Sequence, residues 1–238
     1  MGEEQPDRGS DAVAPYADRH EAAVALAAEL EHEMGGALRA RSPLVLGLAR
    51  GGVPVAAGIA RALGLDWDAL IVRKLGIPGH SEVAFGAVAA HAGHTAEYRV
   101  ETVLRSLPRH VTRRQLRRVE REETAELRRR QQDYLDGRSA PVRGRTVVLA
   151  DDGLATGATM HAAADAVRAA GAQEIVIAIP VGPPDVCAEL ARSVDRLVCP
   201  RRPTDFRAVG AAYRRFEQVT DSEVLALLDG RKPGLGRA

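Results

Sequence analysis

The sequence predicts an α/β fold in which a mostly parallel central sheet is flanked by helices. Apolar runs recur along the chain, and several precede segments with helical spacing; the runs are residues 44–48, 69–72, 83–90, 146–150, 175–179 and 197–198. These runs are continuous rather than alternating, which is typical of strands buried on both faces of a parallel sheet. Glycine-containing loops follow several of them, at the strand ends where such sheets bind ligands.

The composition fits one domain with an ordinary core. The 238 residues suit a single domain with an insertion or irregular ends. Hydrophobic residues make up 45% of the chain but aromatic residues only 3%, so alanine, valine and leucine must fill the core. A formal net charge of +1 argues against a chain-wide field for nucleic acid or membranes. Cys187 and Cys199 lack metal-ligand spacing and are expected to be buried.

The chain divides into a central domain and two short tails. Residues 1–14 are polar, so we expect a disordered tail there. We assign residues 15–229 to the domain, in which a helix over 18–35 stops at a pair of glycines, and residues 230–238 to a C-terminal tail. We find no signal peptide and no apolar run near the roughly 20 residues of a membrane helix. We therefore expect a cytoplasmic protein without a membrane partner.

The second apolar run leads into a pair of cations and a loop. The strand is expected to end at Arg73 and Lys74, which precede a glycine- and proline-containing loop at residues 76–79. Residues 75–82 could act as a lid that excludes water from a ligand site, or they could form a plain hairpin.

Residues 101–138 form a predicted helical insertion between two strands of the sheet. Residues 109–138 are dense in arginine, glutamate and glutamine and contain few apolar residues. The arginines could form a nucleic-acid surface, or the glutamates could offset them on a solvent-exposed helix. We expect the exposed helix, with which a homodimer contact is compatible, and no nucleic-acid partner.

The most informative stretch is residues 146–160, in which a strand leads into two carboxylates, a small-residue loop and a helix. Asp151 and Asp152 stand at the end of the strand, and carboxylates accept hydrogen bonds from hydroxyl groups. The loop at 153–159 lets backbone N–H groups approach an anion, and the next helix directs its positive dipole end there. A ligand with two neighbouring hydroxyls and a phosphate would fit, which describes a ribose 5-phosphate.

This stretch resembles the phosphoribosyl-pyrophosphate (PRPP) signature of the type I phosphoribosyltransferases: hydrophobic strand, Asp-Asp, three spacers and Thr-Gly-x-Thr. The resemblance implies the fold of that family, here with a long helical insertion and a small hood. It implies that Asp151 and Asp152 are the catalytic pair and hold the ribose hydroxyls. Both should remain ionised at neutral pH if they accept hydrogen bonds from those hydroxyls. The resemblance places five residues around the 5′-phosphate: Ala155, Thr156, Gly157, Ala158 and Thr159. PRPP arrives with Mg²⁺, so the acid pair could also contact metal-bound water, although no all-protein metal site is apparent.

Two cationic segments are expected to receive the diphosphate. In the family, the loop after the first strand receives the pyrophosphate and often contains a strained peptide bond. That loop corresponds here to Ala49, Arg50, Gly51 and Gly52. Arg73 and Lys74 resemble the basic residues that meet the diphosphate in orotate- and adenine-type relatives. An arginine fork can bind two phosphate oxygens, and cations stabilise the charge of a leaving diphosphate.

The acceptor is not identified by any motif. The 6-oxopurine branch of the family has an Asp immediately before Thr-Gly, whereas this chain has Ala155, so the loop is closer to adenine- or orotate-type members. Residues 16–36 or 200–220 could build the hood over the acceptor. The second segment has three aromatic residues that could stack on a ring or pack in the core: Phe206, Tyr213 and Phe216.

The resemblance implies a transferase that moves ribose 5-phosphate from PRPP to a small nitrogenous acceptor and releases pyrophosphate, with Mg²⁺ as cofactor. Two alternatives are open. The absent Asp and the arginine-rich segment are compatible with a regulator that senses PRPP or nucleotides without turnover. In the other alternative, water is the acceptor and the protein is a hydrolase.

Overall fold

The computed structural model describes residues 14–108, 110–136 and 139–230. In chain order the elements are α1 Arg19–Arg41, β1 Leu44–Ala49, α2 Gly52–Leu63, β2 Asp66–Ile77, β3 His80–His91, β4 His94–Arg99, α3 Glu101–Arg105, α4 Arg113–Leu135, β5 Thr146–Ala150, α5 Ala158–Ala169, β6 Glu174–Ala178, α6 Pro184–Ala191, β7 Arg196–Val198, a 3₁₀ helix Val209–Ala212, and α7 Asp221–Asp229. The predicted tails lie outside these residues except for Ala14 and Gly230, and they stay predictions. None of the described helices is long and apolar enough to cross a lipid bilayer.

The strands form one sheet in the order β4-β3-β2-β1-β5-β6-β7. Five neighbouring strands, β2, β1, β5, β6 and β7, run parallel to one another. At one edge of the sheet, β3 is antiparallel to β2 and β4 is antiparallel to β3. The predicted mostly parallel α/β fold is therefore confirmed. Because β2, β1 and β5 are neighbours, the segments at their carboxyl ends meet at one edge of the sheet.

Helices cover both faces of the sheet, as the continuous apolar runs predict. Along β2, Leu70 packs with residues of α5, whereas Ile71 packs with residues of α4 and α7 on the other face. Val45 of β1 packs with α1 and α2. Cys187 and Cys199 are both buried and unbridged, as expected for small apolar side chains.

β2 is longer than the sequence predicts, and the predicted strand end is wrong. The strand continues through Arg73 and Lys74 to Ile77 and pairs with β3 in a hairpin. Leu75 is 0% and Ile77 is 7% exposed, so their burial keeps the chain extended past Gly76, where the register shifts. The segment proposed as a loop and lid is thus the end of a strand and a hairpin turn, as the alternative interpretation held.

The first helix also extends beyond its predicted end. Gly35 has φ 43° and ψ −123°, which interrupts the helical conformation, but the helix resumes and ends at Arg41. Leu38 is 1% exposed, and its burial in the core stabilises the turns after the interruption. Gly35 therefore produces a kink rather than the predicted stop.

α4 is the long helix of the predicted insertion, and one side of it is part of the core. A capping box starts it, in which Thr112 Oγ1 accepts from Gln115 N at 3.3 Å and Gln115 Oε1 accepts from Thr112 N at 2.8 Å. Leu127 and Tyr134 are buried against side chains of β2 and β3. The predicted solvent-exposed character holds only for the opposite side of the helix.

Leu127 is expected to stabilise the whole domain. Its side chain is 0% exposed, so Leu127→Ala should lower the free energy of unfolding by about 2–5 kcal/mol, because it removes buried contacts and leaves a cavity. Urea unfolding followed by circular dichroism measures this. The exposed neighbour Arg128 provides the control, and Arg128→Ala should change the value by less than about 0.5 kcal/mol. An equally small effect at Leu127 would mean that the insertion unfolds separately from the sheet.

Candidate functional site

A cavity of about 590 Å³ opens where β1 and β5 end and along the second half of β2. This is the edge of the sheet at which α/β proteins bind ligands. Every predicted site residue lines it except Gly52 and Ala158. The lining residues from the predicted set are Ala49, Arg50, Gly51, Arg73, Lys74, Asp151, Asp152, Ala155, Thr156, Gly157 and Thr159. The fold thus brings together segments that are far apart in the chain.

Gly52 and Ala158 lie behind the cavity wall. They are the first residues of α2 and α5, and both are buried. A Cβ atom on Gly52 would lie 2.3 Å from the carbonyl oxygen of Ala150. The absence of a side chain therefore lets α2 begin directly against the end of β5.

The two carboxylates lie side by side in the cavity wall. Asp152 N donates to Asp151 Oδ1 at 2.9 Å, and Arg19 donates from Nε and Nη2 to Asp152 Oδ2 at 2.9 and 2.7 Å. Burial, followed by the neighbouring charge of Asp152, raises the pKa of Asp151 well above its ordinary value. Burial also raises the pKa of Asp152, although the charge of Arg19 opposes this shift. These shifts act, in the free protein, against the ionisation that hydrogen bonds from ribose hydroxyls are expected to favour in both groups.

Asp151→Asn is expected to stabilise the free protein increasingly as the pH rises. Because the folded state raises its pKa, Asp151 binds its proton more tightly when folded than when unfolded. The wild-type protein therefore loses stability as the pH rises from the ordinary carboxyl pKa of about 3.9 through the raised value. Asparagine has no charge to bury, so the variant does not lose this stability as the pH rises. Urea unfolding at about pH 4 and about pH 8 measures the difference, and a difference independent of pH would contradict the raised pKa.

Gly157 shapes the loop that precedes α5. It has φ 76° and ψ −10°, in the left-handed region that favours glycine, and it precedes the helix without a side-chain cap. The first N–H groups of a helix have no partner within the helix, and they carry the positive end of its dipole. Thr156 and Thr159 line the cavity beside them. The loop therefore presents the kind of donors that bind a phosphate.

Gly51 lets the loop after β1 approach the acid pair. A Cβ atom on Gly51 would lie 2.2 Å from Asp152 Oδ2, so no side chain fits unless the carboxylate moves. The Ala49–Arg50 peptide bond that precedes it is cis. The cationic loop and the acid pair are thus in direct contact.

Carboxylates outside the acid pair hold the arginines of the diphosphate segments. Arg50 Nη1 donates to Asp221 Oδ1 at 2.9 Å. Arg73 donates from Nε and Nη2 to Glu123 Oε2 at 2.7 and 2.6 Å. Lys74 is an exposed residue of the same cavity wall. The three predicted cations therefore lie in one cavity with the two carboxylates.

Several residues that line the cavity had no individual role in the sequence-based predictions, although all but Arg130 lie in the two segments considered for the hood: Arg19, Arg130, Val209, Gln218 and Val219. Arg19 connects both segments considered for the hood. Its guanidinium lies 4.1 Å from the ring centroid of Phe216, and its Nη1 donates to the carbonyl oxygen of Glu217 at 2.9 Å. The two segments therefore meet at the cavity rather than acting as alternatives. No motif marks Arg19, because its partners come from distant parts of the chain.

The three aromatic residues considered for the hood differ in position. Phe216 lines the cavity, whereas Phe206 does not. Tyr213 is 7% exposed, stacks on Phe216 with centroids 4.9 Å apart, and donates from its hydroxyl to the carbonyl oxygen of Asp152 at 2.5 Å. Phe216 is therefore the residue that a flat ligand could contact, and Tyr213 supports it from the core.

Comparison with known proteins gives consistent matches. Residues 17–211 match the model of the phosphoribosyl transferase domain. The Mycobacterium tuberculosis H37Rv protein named "Putative phosphoribosyl transferase Rv0571c" is 42% identical over 215 residues, which cover 90% of this chain and 46% of that protein. Its counterpart from strain CDC 1551 has the same identity and coverage. This chain therefore spans about half the length of these relatives.

A solved structure extends the similarity to the fold. The protein TT1426 from Thermus thermophilus is 39% identical, with a TM-score of 0.70, and the match covers 90% of this chain and 97% of that one. The range matched by the family model includes the acid pair, the loop before α5 and both cationic segments. The chain belongs to the phosphoribosyl transferase domain family, as the signature in its sequence predicts.

Proposed function

We propose that this chain is a PRPP-dependent phosphoribosyltransferase that transfers ribose 5-phosphate from PRPP to a nitrogenous acceptor and releases pyrophosphate. The observation that carries the proposal is one cavity with three kinds of group. It contains an acid pair suited to neighbouring hydroxyls, a helix N-terminus suited to a phosphate, and three cations suited to a diphosphate. PRPP presents all three features in one molecule. The volume of about 590 Å³ lies within the usual range for small-molecule sites, about 300–1,000 Å³.

The ribose 5-phosphate half of PRPP lies, in this proposal, between the acid pair and the start of α5. Asp151 and Asp152 accept hydrogen bonds from the ribose hydroxyls, which are good donors to carboxylates. The loop residues around Gly157 donate to the 5′-phosphate. Because the helix N-terminus is already in place, little reorganisation accompanies phosphate binding.

The diphosphate half lies against Arg50, Arg73 and Lys74. During transfer the bond between C1 and the diphosphate oxygen breaks, and its electron pair leaves with the diphosphate. A bond from C1 to the acceptor nitrogen forms on the opposite face, with inversion at C1, and the proton of that nitrogen is released to solvent. Positive charge develops on the ribose beside the acid pair, and negative charge develops on the leaving group beside the cations, so both are stabilised.

Mg²⁺ would accompany PRPP at the acid pair. Among the described residues, no group of three or more His, Cys, Asp or Glu could hold a metal ion. Two neighbouring carboxylates fit an ion that keeps several waters and also binds substrate oxygens, as Mg²⁺ commonly does. We therefore assign Asp151 and Asp152 to contact Mg²⁺-bound water. When bound, the ion neutralises part of the diphosphate charge.

The acceptor binds, in this proposal, against the hood. Phe216 lies against Tyr213 and the Arg19 guanidinium, so a flat ring would contact its edge or the guanidinium plane. Gln218 supplies an amide that can both donate and accept hydrogen bonds. Ala155 has no carboxylate to contact the ring, unlike the 6-oxopurine branch. This favours acceptors of the adenine or orotate type over 6-oxopurines.

Incubation with PRPP, Mg²⁺ and a panel of nitrogenous bases tests the proposal, with release of pyrophosphate as the readout. Release that requires one of the bases is the expected result. Release without any base would instead indicate the hydrolase, with water as acceptor. Binding of PRPP without release for any base would indicate the regulator. Absence of PRPP binding would overturn the transferase and the hydrolase, and would leave only a regulator that senses nucleotides.

A further inference from the structure

The insertion helix α4 is a wall of the cavity as well as a cover for the sheet. Glu123, Arg130 and Tyr134 are spaced by seven and four positions, so they lie on one face of the helix. Glu123 pairs with Arg73, and Arg130 lines the cavity itself. The family signature gives no function to this helix, although Glu123 contacts one of the segments assigned to the diphosphate and Arg130 lines the same cavity.

An ion pair holds the side chain of Arg130 in place and uses only part of its N–H donors. Its Nε donates to Glu126 Oε1 at 2.9 Å, and its side chain is 13% exposed. Hydrogen bonds from Arg129 and then from Arg130 lower the pKa of Glu126 to about 2, so the partner stays ionised. Among the contacts of the described residues, Arg130 uses only Nε. Its two terminal amino groups therefore remain to donate to an anion in the cavity.

Tyr134 connects the same helix to the cationic loop. Asp221 Oδ1 accepts from the Tyr134 hydroxyl at 2.6 Å and from Arg50 Nη1 at 2.9 Å. The hydrogen bond from Tyr134, then that from Arg50 and the charge of Arg130, lower the pKa of Asp221. Arg50 and Arg130 are therefore close to one ionised carboxylate, and Tyr134 fixes the oxygen that orients Arg50.

We infer that α4 supplies a diphosphate-binding residue, Arg130, and a positioning residue, Tyr134, which acts on Arg50 through Asp221. This inference rests on the proposed function, since it concerns the diphosphate end of the same site. A diphosphate carries several negative charges, and a charge-assisted arginine fork is well suited to bind its oxygens. The insertion thereby adds a fourth cation to the three that the sequence signature indicates.

Arg130→Gln tests the binding role. Isothermal titration with Mg²⁺ present measures the dissociation constants of PRPP, inorganic pyrophosphate and ribose 5-phosphate. The variant should bind PRPP and pyrophosphate about tenfold or more weakly, because a charged hydrogen bond is lost, and should bind ribose 5-phosphate as the wild type does. Arg130→Lys should recover part of the pyrophosphate affinity, because it restores the charge but not the fork. Arg128→Gln makes the same charge change at an exposed position and should alter none of the three.

Unchanged pyrophosphate affinity in Arg130→Gln would overturn the inference. So would equal weakening of ribose 5-phosphate, because it would indicate general damage to the cavity. Binding of PRPP and pyrophosphate by the wild-type protein distinguishes a failure of this inference from a failure of the proposed function. If the wild type binds neither PRPP nor pyrophosphate, the proposed function fails and the inference falls with it. If the wild type binds both ligands and Arg130→Gln binds pyrophosphate with the same affinity, only the inference about Arg130 fails.

Tyr134→Phe tests the positioning role, since it removes only the hydroxyl that reaches Asp221. Alone it should weaken pyrophosphate binding by about two- to tenfold, which is less than the loss of a charged hydrogen bond to the ligand, because it disturbs the orientation of Arg50 without removing a ligand contact. In an Arg50→Gln background it should have no further effect, because Tyr134 acts through Arg50. A merely structural role would give the same loss in both backgrounds, and that additive result would overturn the assignment.

Discussion

Replacement of both carboxylates, Asp151→Asn with Asp152→Asn, is expected to abolish measurable PRPP binding while the fold survives. Hydrogen bonds to charged acceptors contribute about 1.5–3 kcal/mol each, so the loss of two should weaken binding by about a hundredfold or more. Asparagine has nearly the same shape and keeps an oxygen that can accept from the backbone N–H of residue 152. Calorimetric titration with Mg²⁺ and PRPP measures the affinity, and circular dichroism reports the fold.

The matched control for this pair is Asp165→Asn. Asp165 is an exposed residue of α5 that pairs with Arg168, and it lies outside the cavity lining. Its replacement makes the same Asp→Asn change at one position and should leave PRPP affinity unchanged. If the double variant kept the wild-type affinity for PRPP, this result would contradict the assignment of the ribose to the acid pair. The assignment would also fail if the control variant lost affinity to the same degree.

Gly51→Ala is expected to reduce PRPP affinity and turnover strongly, although it adds a single methyl group. The new Cβ would lie 2.2 Å from Asp152 Oδ2, so the carboxylate or the loop must move. The backbone of Gly51 has φ −58° and ψ −35°, which any residue adopts, so the effect isolates the contact from backbone strain. Overpacking of this kind typically lowers folding stability by about 1–3 kcal/mol. Displacement of Asp152 would in addition remove a hydrogen bond to a charged acceptor, about 1.5–3 kcal/mol, which corresponds to about 10- to 150-fold in affinity.

Gly36→Ala is the control for this substitution, because nothing lies within 4 Å of a Cβ placed there. It should leave PRPP affinity unchanged and should not lower the melting temperature, since alanine is the better helix former. Titration and thermal unfolding of both variants give the comparison. If Gly51→Ala binds PRPP as tightly as the wild type, the position of Asp152 is not critical for the ligand, and the proposed geometry of the site is wrong.

Local sequence patterns predicted the sheet and the main loops because their causes are local. The continuous apolar runs show burial on both faces, and the acid pair and its small-residue loop occur within one short stretch. The end of β2 was misread for a physical reason. Arg73, Lys74 and Gly76 look like the start of a loop, but the burial of Leu75 and Ile77 outweighs these local preferences. That burial depends on packing against other parts of the chain.

The side chains that the sequence did not reveal as site residues were missed for a different reason. Arg19 gains its position from Asp152 and Phe216, and Arg130 from Glu126 and the direction of α4. The partners of Arg19 have no fixed spacing from it in the chain, so no motif could show them. The Glu126–Arg130 pair has ordinary i,i+4 spacing, which does not show that this side of α4 faces a cavity. The site was therefore predictable where backbone turns make it and unpredictable where separate helices contribute side chains.

The adjacency of β2, β1 and β5 also determines when the site can exist during folding. Between β2 and β5 the chain forms a hairpin and the whole insertion, so alignment of the three strands closes a long loop, which is a slow, non-local event. A ligand that contacts the ends of β1 and β5 and the second half of β2 binds only after this step. Saturation at a hundred times its dissociation constant would add about 2.7 kcal/mol to the unfolding free energy. Substrate should therefore slow unfolding of the completed domain, and it should not accelerate docking of β5.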